Sequence, residues 1–332
     1  MSLVDTMPAF ELFQPASVAD ALSLLGRYGK DGWVMAGGQD SLDWFKDGVK
    51  SPKAVVDLGQ IAALRGIRKW NDGLEIGALT TLTQVSTDAQ VQARFRVLAQ
   101  AARKVATPQI RNQGTLGGNV SQDTRCWYYR SGLNCYRAGG NTCYADTPTA
   151  INREHCLFEA DRCVAVSPSD TAPALIVLDA RMAIRNAKGE REVNAAEFFI
   201  GPGVDITRMT VLQPGDLLTA IRIPGTWGGA RFYFEKVADR QAWDFPLVNV
   251  AAALRVDGGT IKQARIAVGG VAARPLLLTA VEAALAGQPA NEETALAAGQ
   301  SAAWGARPLN YNRFKVSLLE NLVRRAVRGA TA

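Results

Sequence analysis

Histidine is almost absent from the 332 residues: His155 stands alone. A Ser-His-Asp triad would have to use it, and a metal site built on two histidines of one chain is excluded. If the protein is an enzyme, a cofactor carries the chemistry. Long apolar runs are also missing. No stretch approaches the roughly 18 residues that a membrane-crossing helix needs, so no membrane span is expected. Met1 to Asp20 lacks a basic segment followed by an apolar core; this favours the cytoplasm, with export possible only beside a signal-bearing partner. Charge is modest at +6, and no basic stripe is interleaved with aromatics. Nucleic-acid binding is therefore not expected. Cysteine is absent from all but one stretch.

That stretch holds Cys126, Cys135, Cys143, Cys156 and Cys163, separated by 8, 7, 12 and 6 residues. Such clustering points to a job for thiols. A disulfide framework belongs to small secreted domains. A four-cysteine zinc site usually shows tight pairs of ligands. An iron–sulfur cluster is larger than one ion and tolerates wider spacing. Iron–sulfur, zinc and inert or redox thiols all remain open on spacing.

The apolar fraction of 48% and the chain length suit two or three domains with ample core. Ser17-Val-Ala-Asp20 has the form of a helix cap. Trp33 to Ala36 reads as a strand, Gly37-Gly38 as a turn able to form an anion nest, and Ser41 to Lys46 as a helix. Strands are expected at Ala54–Leu58, Leu74–Leu82 and Leu217–Pro224, and a hairpin at Arg181–Val193 turning at Lys188-Gly189. Thr83 to Val105 reads as one long helical region, and Ala172 to Asp179 as a buried helix. Ala106 to Asn119 is glycine-rich, but has neither the GxGxxG nor the GxxxxGK[ST] form. Phe245 to Val271 reads as two strands around Asp257-Gly-Gly259. Helices are expected at Leu276–Ala286, Glu292–Trp304 and Asn312–Arg328.

Several motifs then occur in order: Val34-Met-Ala-Gly-Gly-Gln-Asp40, Ile76-Gly-Ala-Leu-Thr80, Gln109 to Asn119, Ser167-Pro-Ser-Asp170, Gly201-Pro-Gly203, Leu217 to Pro224 and Phe232-Tyr-Phe-Glu-Lys236. Together they resemble the FAD-binding medium subunit of the xanthine dehydrogenase family of molybdenum hydroxylases, over nearly the whole chain. In most of that family the Gly-Gly-Asn loop runs almost straight into the Ser-Asp segment. Here residues 120–166 intervene. The insertion resembles that in the flavin subunits of 4-hydroxybenzoyl-CoA reductase and of bacterial molybdenum aldehyde oxidoreductases, where it carries a [4Fe–4S] cluster.

The resemblance implies an α+β chain: a two-subdomain FAD-binding fold of the vanillyl-alcohol-oxidase/PCMH type, then a C-terminal sheet-plus-helices domain like that of CO dehydrogenase flavoproteins. The FAD-binding domain would span 1–228, with subdomains of about 1–60 and 61–228 and the cluster loop at 121–166; the C-terminal domain would span 229–332. FAD would be held by Val34, Met35, Ala36, Gly37, Gly38, Gln39, Asp40, Thr80, Ala106, Thr107, Gln109, Ile110, Thr115, Gly118, Asn119, Ser169, Asp170, Leu218 and Lys236. Asp170 would bond the ribityl chain or ring edge, and Lys236 would favour negative charge on reduced flavin. The cluster would take Cys126, Cys135, Cys143 and Cys163, with Cys156 as the alternative ligand. Arg125, Arg130, Arg137, Arg153 and Arg162 would raise its potential, or else merely solubilise the loop.

The partners implied are a large subunit with the molybdenum cofactor and a small subunit with two [2Fe–2S] clusters. Substrate chemistry would lie on the large subunit, and this chain would pass electrons between clusters, FAD and an external acceptor or donor. The alternatives are a zinc-stabilised scaffold subunit without redox work, and a stand-alone flavin oxidase of related fold.

Overall fold

Short apolar runs bounded by glycine and capped turns become strands of three sheets in the computed structural model, which describes residues 6–331. Residues 1–5 and 332, the extremes of the two expected domains, lie outside the described residues. The first sheet is parallel, in the order β1-β3-β2, from β1 (Glu11–Phe13), β2 (Gly32–Met35) and β3 (Ala54–Asp57). Its centre, β3, buries Val55 and Val56 fully, as a strand covered on both faces must. The crossover helix Val18–Tyr28 starts where Ser17 Oγ accepts the Asp20 N–H at 3.1 Å.

The second sheet is antiparallel. It contains β4 (Ile67–Trp70), β5 (Gly73–Gly77), β6 (Arg181–Asn186), β7 (Gly189–Asn194) and β8 (Leu217–Ile223), in the order β4-β5-β8-β6-β7. The third comprises β9 (Arg231–Val237), β10 (Val248–Asp257), β11 (Thr260–Gly269) and β12 (Leu276–Leu277), in the order β12-β11-β10-β9. Gly258 and Gly259 turn β10 into β11 with φ of 53° and 74°, a turn that needs two left-handed residues. Strand β10 is buried on both faces. Val248, Val250, Ala252 and Leu254 join the core beneath helices Glu292–Ala302 and Phe314–Thr331. Ala251 and Ala253 join the central core, with residues of β5, β6 and β8. Small residues on that face let helix Ala172–Val177 lie close against the third sheet.

Several expected elements are shorter or broken. The long helix of 83–105 is three helices, Leu82–Thr87, Ala89–Arg94 and Arg96–Arg103. Asp88 breaks the first by capping the second, accepting the Gln90 and Val91 N–H groups at 2.9 and 3.0 Å. The strand from Leu74 stops at Gly77, and Thr81 forms a capping box with Gln84. The glycine stretch folds into two short helices, Pro108–Gln113 and Leu116–Val120. Residues 276–277 form a strand, so the helix begins at Thr279. The buried helix from Ala172 ends at Val177. Residues 121–166 form no strand; only short helical turns at Trp127–Arg130 and Tyr136–Ala138 interrupt them.

Candidate functional site

The two glycine stretches meet. A Cβ on Gly37 would lie 2.2 Å from the Gln113 carbonyl oxygen, so only glycine lets the first turn close on the second. Gly38 adopts φ +75°. Between the turns lies a cleft of about 130 Å³ lined by Val34, Gly37, Gly38, Gln39, Asp40, Ile110, Gly114, Thr115, Gly118, Asn119 and Gln122, among others. No lysine or arginine lines it. A diphosphate there would be neutralised by backbone N–H dipoles. Gln122 Oε1 is buried with no partner among the described residues, an acceptor that a ligand donor would satisfy. These features fit the dinucleotide part of FAD.

Other expected flavin residues sit elsewhere. Met35 and Ala36 pack into two different cores and do not line the cleft. Thr80 donates its hydroxyl to the Gly66 carbonyl at 3.0 Å and is buried. Thr107 caps helix Pro108–Gln113, and Gln109 is exposed. Ala106 has φ +40°, and its carbonyl accepts the Trp243 N–H at 3.1 Å. Leu218 lies on β8 within the central core.

Asn119 joins the glycine stretch to Ser169-Asp170-Thr171. Its Oδ1 accepts from Ser169 Oγ at 2.8 Å and from Thr171 Oγ1 at 2.6 Å. Asp170 accepts from Lys236 Nζ at 2.7 Å and from Asn249 Nδ2 at 3.2 Å. Lys236 also donates to the Lys104 and Asp244 carbonyls at 3.1 and 2.6 Å. Its three protons are thus spent within the protein, on a side chain 6% exposed although β9 is a sheet edge. Burial pushes the Asp170 carboxyl up to about 6, the Lys236 ammonium opposing that rise. Asn249, Thr171 and Gln122 belong to this region and were not legible as site residues; single polar residues in apolar strands or beside a motif give no sequence signal.

The cysteine segment packs against the same region. All five thiols are free. Cys126, Cys143 and Cys156 share one small core, and Cys135 packs in another with Trp44 and Tyr129, which Cys126 also touches. Cys163 lies within electrostatic reach of the other four. Burial pushes Cys126 and Cys156 up to about 12 and raises Cys163. Such thiols stay protonated unless a cation compensates. Among the described residues, no three or more His, Cys, Asp or Glu side chains form a group that would hold a single metal ion. His155 Nε2 lies 3.3 Å from Cys126 Sγ, and its buried Nδ1 has no partner among the described residues.

Three of the five arginines are structural ties as well as charges. Arg125 pairs with Asp40 at 2.5 Å and lies over the Phe245 ring. Arg130 pairs with Asp47 at 2.9 Å and covers Trp44. Arg137 is buried, paired with Asp123, and bonds the Ile206 carbonyl at 2.6 Å. Arg153 pairs with Asp239 at the surface, and Arg162 is exposed. Asp40 therefore lines the glycine cleft and holds the thiol segment at once. A second cavity, of about 460 Å³, opens between Arg125, Cys126 and His155 on one side and Trp243, Asp244 and Phe245 on the other.

The family described as the FAD binding domain in molybdopterin dehydrogenase matches residues 8–226, and the CO dehydrogenase flavoprotein C-terminal domain matches residues 233–330. The chain is 33% identical over 303 residues to the aldehyde oxidoreductase FAD-binding subunit PaoB of Escherichia coli K12, covering 90% of this chain and 91% of that one. It is 29% identical over 330 residues to the carbon monoxide dehydrogenase medium chain of Hydrogenophaga pseudoflava, covering 98% of each. The solved carbon monoxide dehydrogenase of that organism superposes with a TM-score of 0.78 at 29% identity, over 98% of both chains. Quinoline 2-oxidoreductase of Pseudomonas putida 86 gives 0.77 at 26% identity, over 98% of both. No helix among the described residues is long and apolar enough to cross a membrane. Two family matches covering nearly the whole chain, on a fold that superposes on solved members, show that this protein belongs to the FAD-binding medium-subunit family of the xanthine dehydrogenase and CO dehydrogenase type of molybdenum hydroxylases.

Proposed function

We propose that this chain is the electron-transfer flavoprotein subunit of a heterotrimeric molybdenum enzyme and holds both FAD and a [4Fe–4S] cluster. The observation that carries the reading is the shared wall: Arg125 of the thiol segment pairs with Asp40 of the glycine cleft at 2.5 Å. A flavin held on the Asp40 side and a cluster held on the Arg125 side would be neighbours, as electron exchange between them would require. FAD, when bound, supplies exchange of one or two electrons.

The chain's own residues do the rest. Gly37, Gly38, Thr115 and Gly118 offer backbone to the diphosphate, with Val34, Gln39, Ile110 and Asn119 around them. Met35, Ala36, Thr80, Thr107, Gln109 and Leu218 shape the surroundings. The larger cavity beside Cys126 and Trp243 has room for a flat ring system. Asp170, Ser169 and Lys236 form the buried hub that fixes the strand ends beside it. Cys126, Cys135, Cys143 and Cys163 would hold the cluster. Cys163 is in electrostatic reach of the other four thiols, and Cys156 also lies within reach of the Lys315 charge. The wide sequence spacing of the cysteines, without tight pairs, favours a cluster over the zinc-stabilised scaffold.

The partners proposed are a large molybdenum-cofactor subunit and a small subunit with two [2Fe–2S] clusters, in the cytoplasm or exported with a signal-bearing partner. The 33% identity to the aldehyde oxidoreductase subunit of E. coli supports an aldehyde-type enzyme.

The test is an absorption spectrum with iron, sulfide, zinc and flavin analysis on protein purified without oxygen. About four irons per chain with one FAD is the expected result. FAD with zinc or no metal would remove the cluster; neither flavin nor iron in folded protein would remove the electron-transfer assignment.

A further inference from the structure

The thiol segment is gripped from the far end of the chain. Helix Phe314–Thr331 begins beside it, and the side chains at its head are buried: Asn312 and Lys315 are each 0% exposed. Lys315 Nζ donates to the His155 carbonyl at 2.8 Å, the Gly270 carbonyl at 2.5 Å and the Glu154 carbonyl at 3.4 Å. Among the described residues no carboxylate lies within ion-pair distance of it. A buried ammonium is costly unless every proton is used, and here all three go to backbone carbonyls. Asn312 Nδ2 donates to the His155 and Cys156 carbonyls at 3.1 and 2.9 Å, while its Oδ1 accepts the Leu309 N–H at 2.6 Å. Around them, Arg307 N–H reaches the Leu157 carbonyl at 2.8 Å, Tyr311 N–H reaches Asn152 Oδ1 at 2.9 Å, and Leu157 N–H reaches the Val271 carbonyl at 2.7 Å.

The gripped residues in turn place thiols. His155 brings Nε2 to 3.3 Å from Cys126 Sγ. Cys156 N–H donates to the Val164 carbonyl at 3.0 Å, which fixes the backbone next to Cys163. One clamp therefore governs two of the four proposed ligands, Cys126 and Cys163, which lie at opposite ends of the thiol segment.

We infer that Lys315 and Asn312 are positioning residues for the cluster, and that the C-terminal domain is the mould in which residues 152–157 are held so that Cys126 and Cys163 face a common centre. This rests on the cluster reading above. It assigns the C-terminal domain a part in building the metal site, in addition to covering the flavin domain.

The experiment compares the whole complex, purified without oxygen, as wild type, Lys315→Met and Asn312→Ala. FAD per chain, iron per chain, the rate of iron release to a ferrous chelator, the electron paramagnetic resonance spectrum of the reduced cluster and its midpoint potential are measured. In the variants FAD stays at the wild-type level, iron release quickens on the order of ten-fold, and the spectrum and potential of the remaining cluster are displaced. Loss of stability alone would not displace the spectrum of a cluster still bound. Wild-type iron release, spectrum and potential in variants with full FAD would overturn the inference. If Lys315→Met does not fold, Asn312→Ala, which removes no charge, decides in the same way. A wild type with FAD and no iron would overturn the cluster reading, and the inference with it.

Discussion

Among single residues, Asp170 and Lys236 carry the largest stakes. A carboxyl whose folded-state pKa is raised contributes its stability in full below its ordinary range and loses it as pH rises through about 6. Above that pH the carboxylate depends on the ammonium 2.7 Å away. Lys236→Met should cost about 3–5 kcal/mol near pH 8, because an unpaired charge is left buried. The cost should shrink toward pH 5, where the carboxyl takes up a proton, and denaturant unfolding at the two pH values checks this. A cost unchanged with pH would contradict the pairing. Two glycines separate packing from binding. Gly37→Ala drives a methyl against the Gln113 carbonyl and should destabilise the fold by about 1–3 kcal/mol. Gly118→Ala meets only the Thr115 hydroxyl, at 3.0 Å, on the wall of the cleft. It should leave the thermal midpoint near wild type while lowering FAD per chain, read from the absorbance of released flavin.

Legibility changes with the size of the element. Turn-bounded strands such as Ala54–Asp57 and Leu217–Ile223 announce themselves, because β-branched runs between breakers have few other fates. The break of the 83–105 helix at Asp88 was not legible, since an aspartate on a polar helix face looks the same until its side chain turns back to cap the next helix. The glycine cleft was legible as a motif, but the roles within it were not. Thr80 and Ser169 spend their hydroxyls on protein acceptors, and nothing local to either residue says so. Within the thiol segment the elements make a sharp contrast testable. Cys163→Ser should abolish cluster iron, and Cys156→Ser should retain it, with iron and sulfide analysis as the measure; the reverse pattern would exchange their roles. Neither variant should alter FAD content.

For the molecule as a whole, three sheets could suggest three independent units. The thiol segment opposes that. It is tied to the first unit by Arg125–Asp40 and Arg130–Asp47, to the second by Arg137 and the Ile206 carbonyl, and to the third by Lys315 and Asn312. Strand β10 adds a core shared by the second and third. Heating the isolated chain with its cofactors should therefore give one calorimetric transition, and resolved peaks would show that the ties are weak. None of these ties was legible, because each joins residues far apart in the chain. The clamp has a further consequence, in time. Lys315 holds the carbonyl of a residue 160 positions earlier. At ordinary synthesis rates the thiols leave the ribosome on the order of 10–30 seconds before the residue that sets them. Cluster insertion should therefore follow chain completion, and stalled nascent chains ending before residue 312 should take up no iron under conditions that load the finished protein.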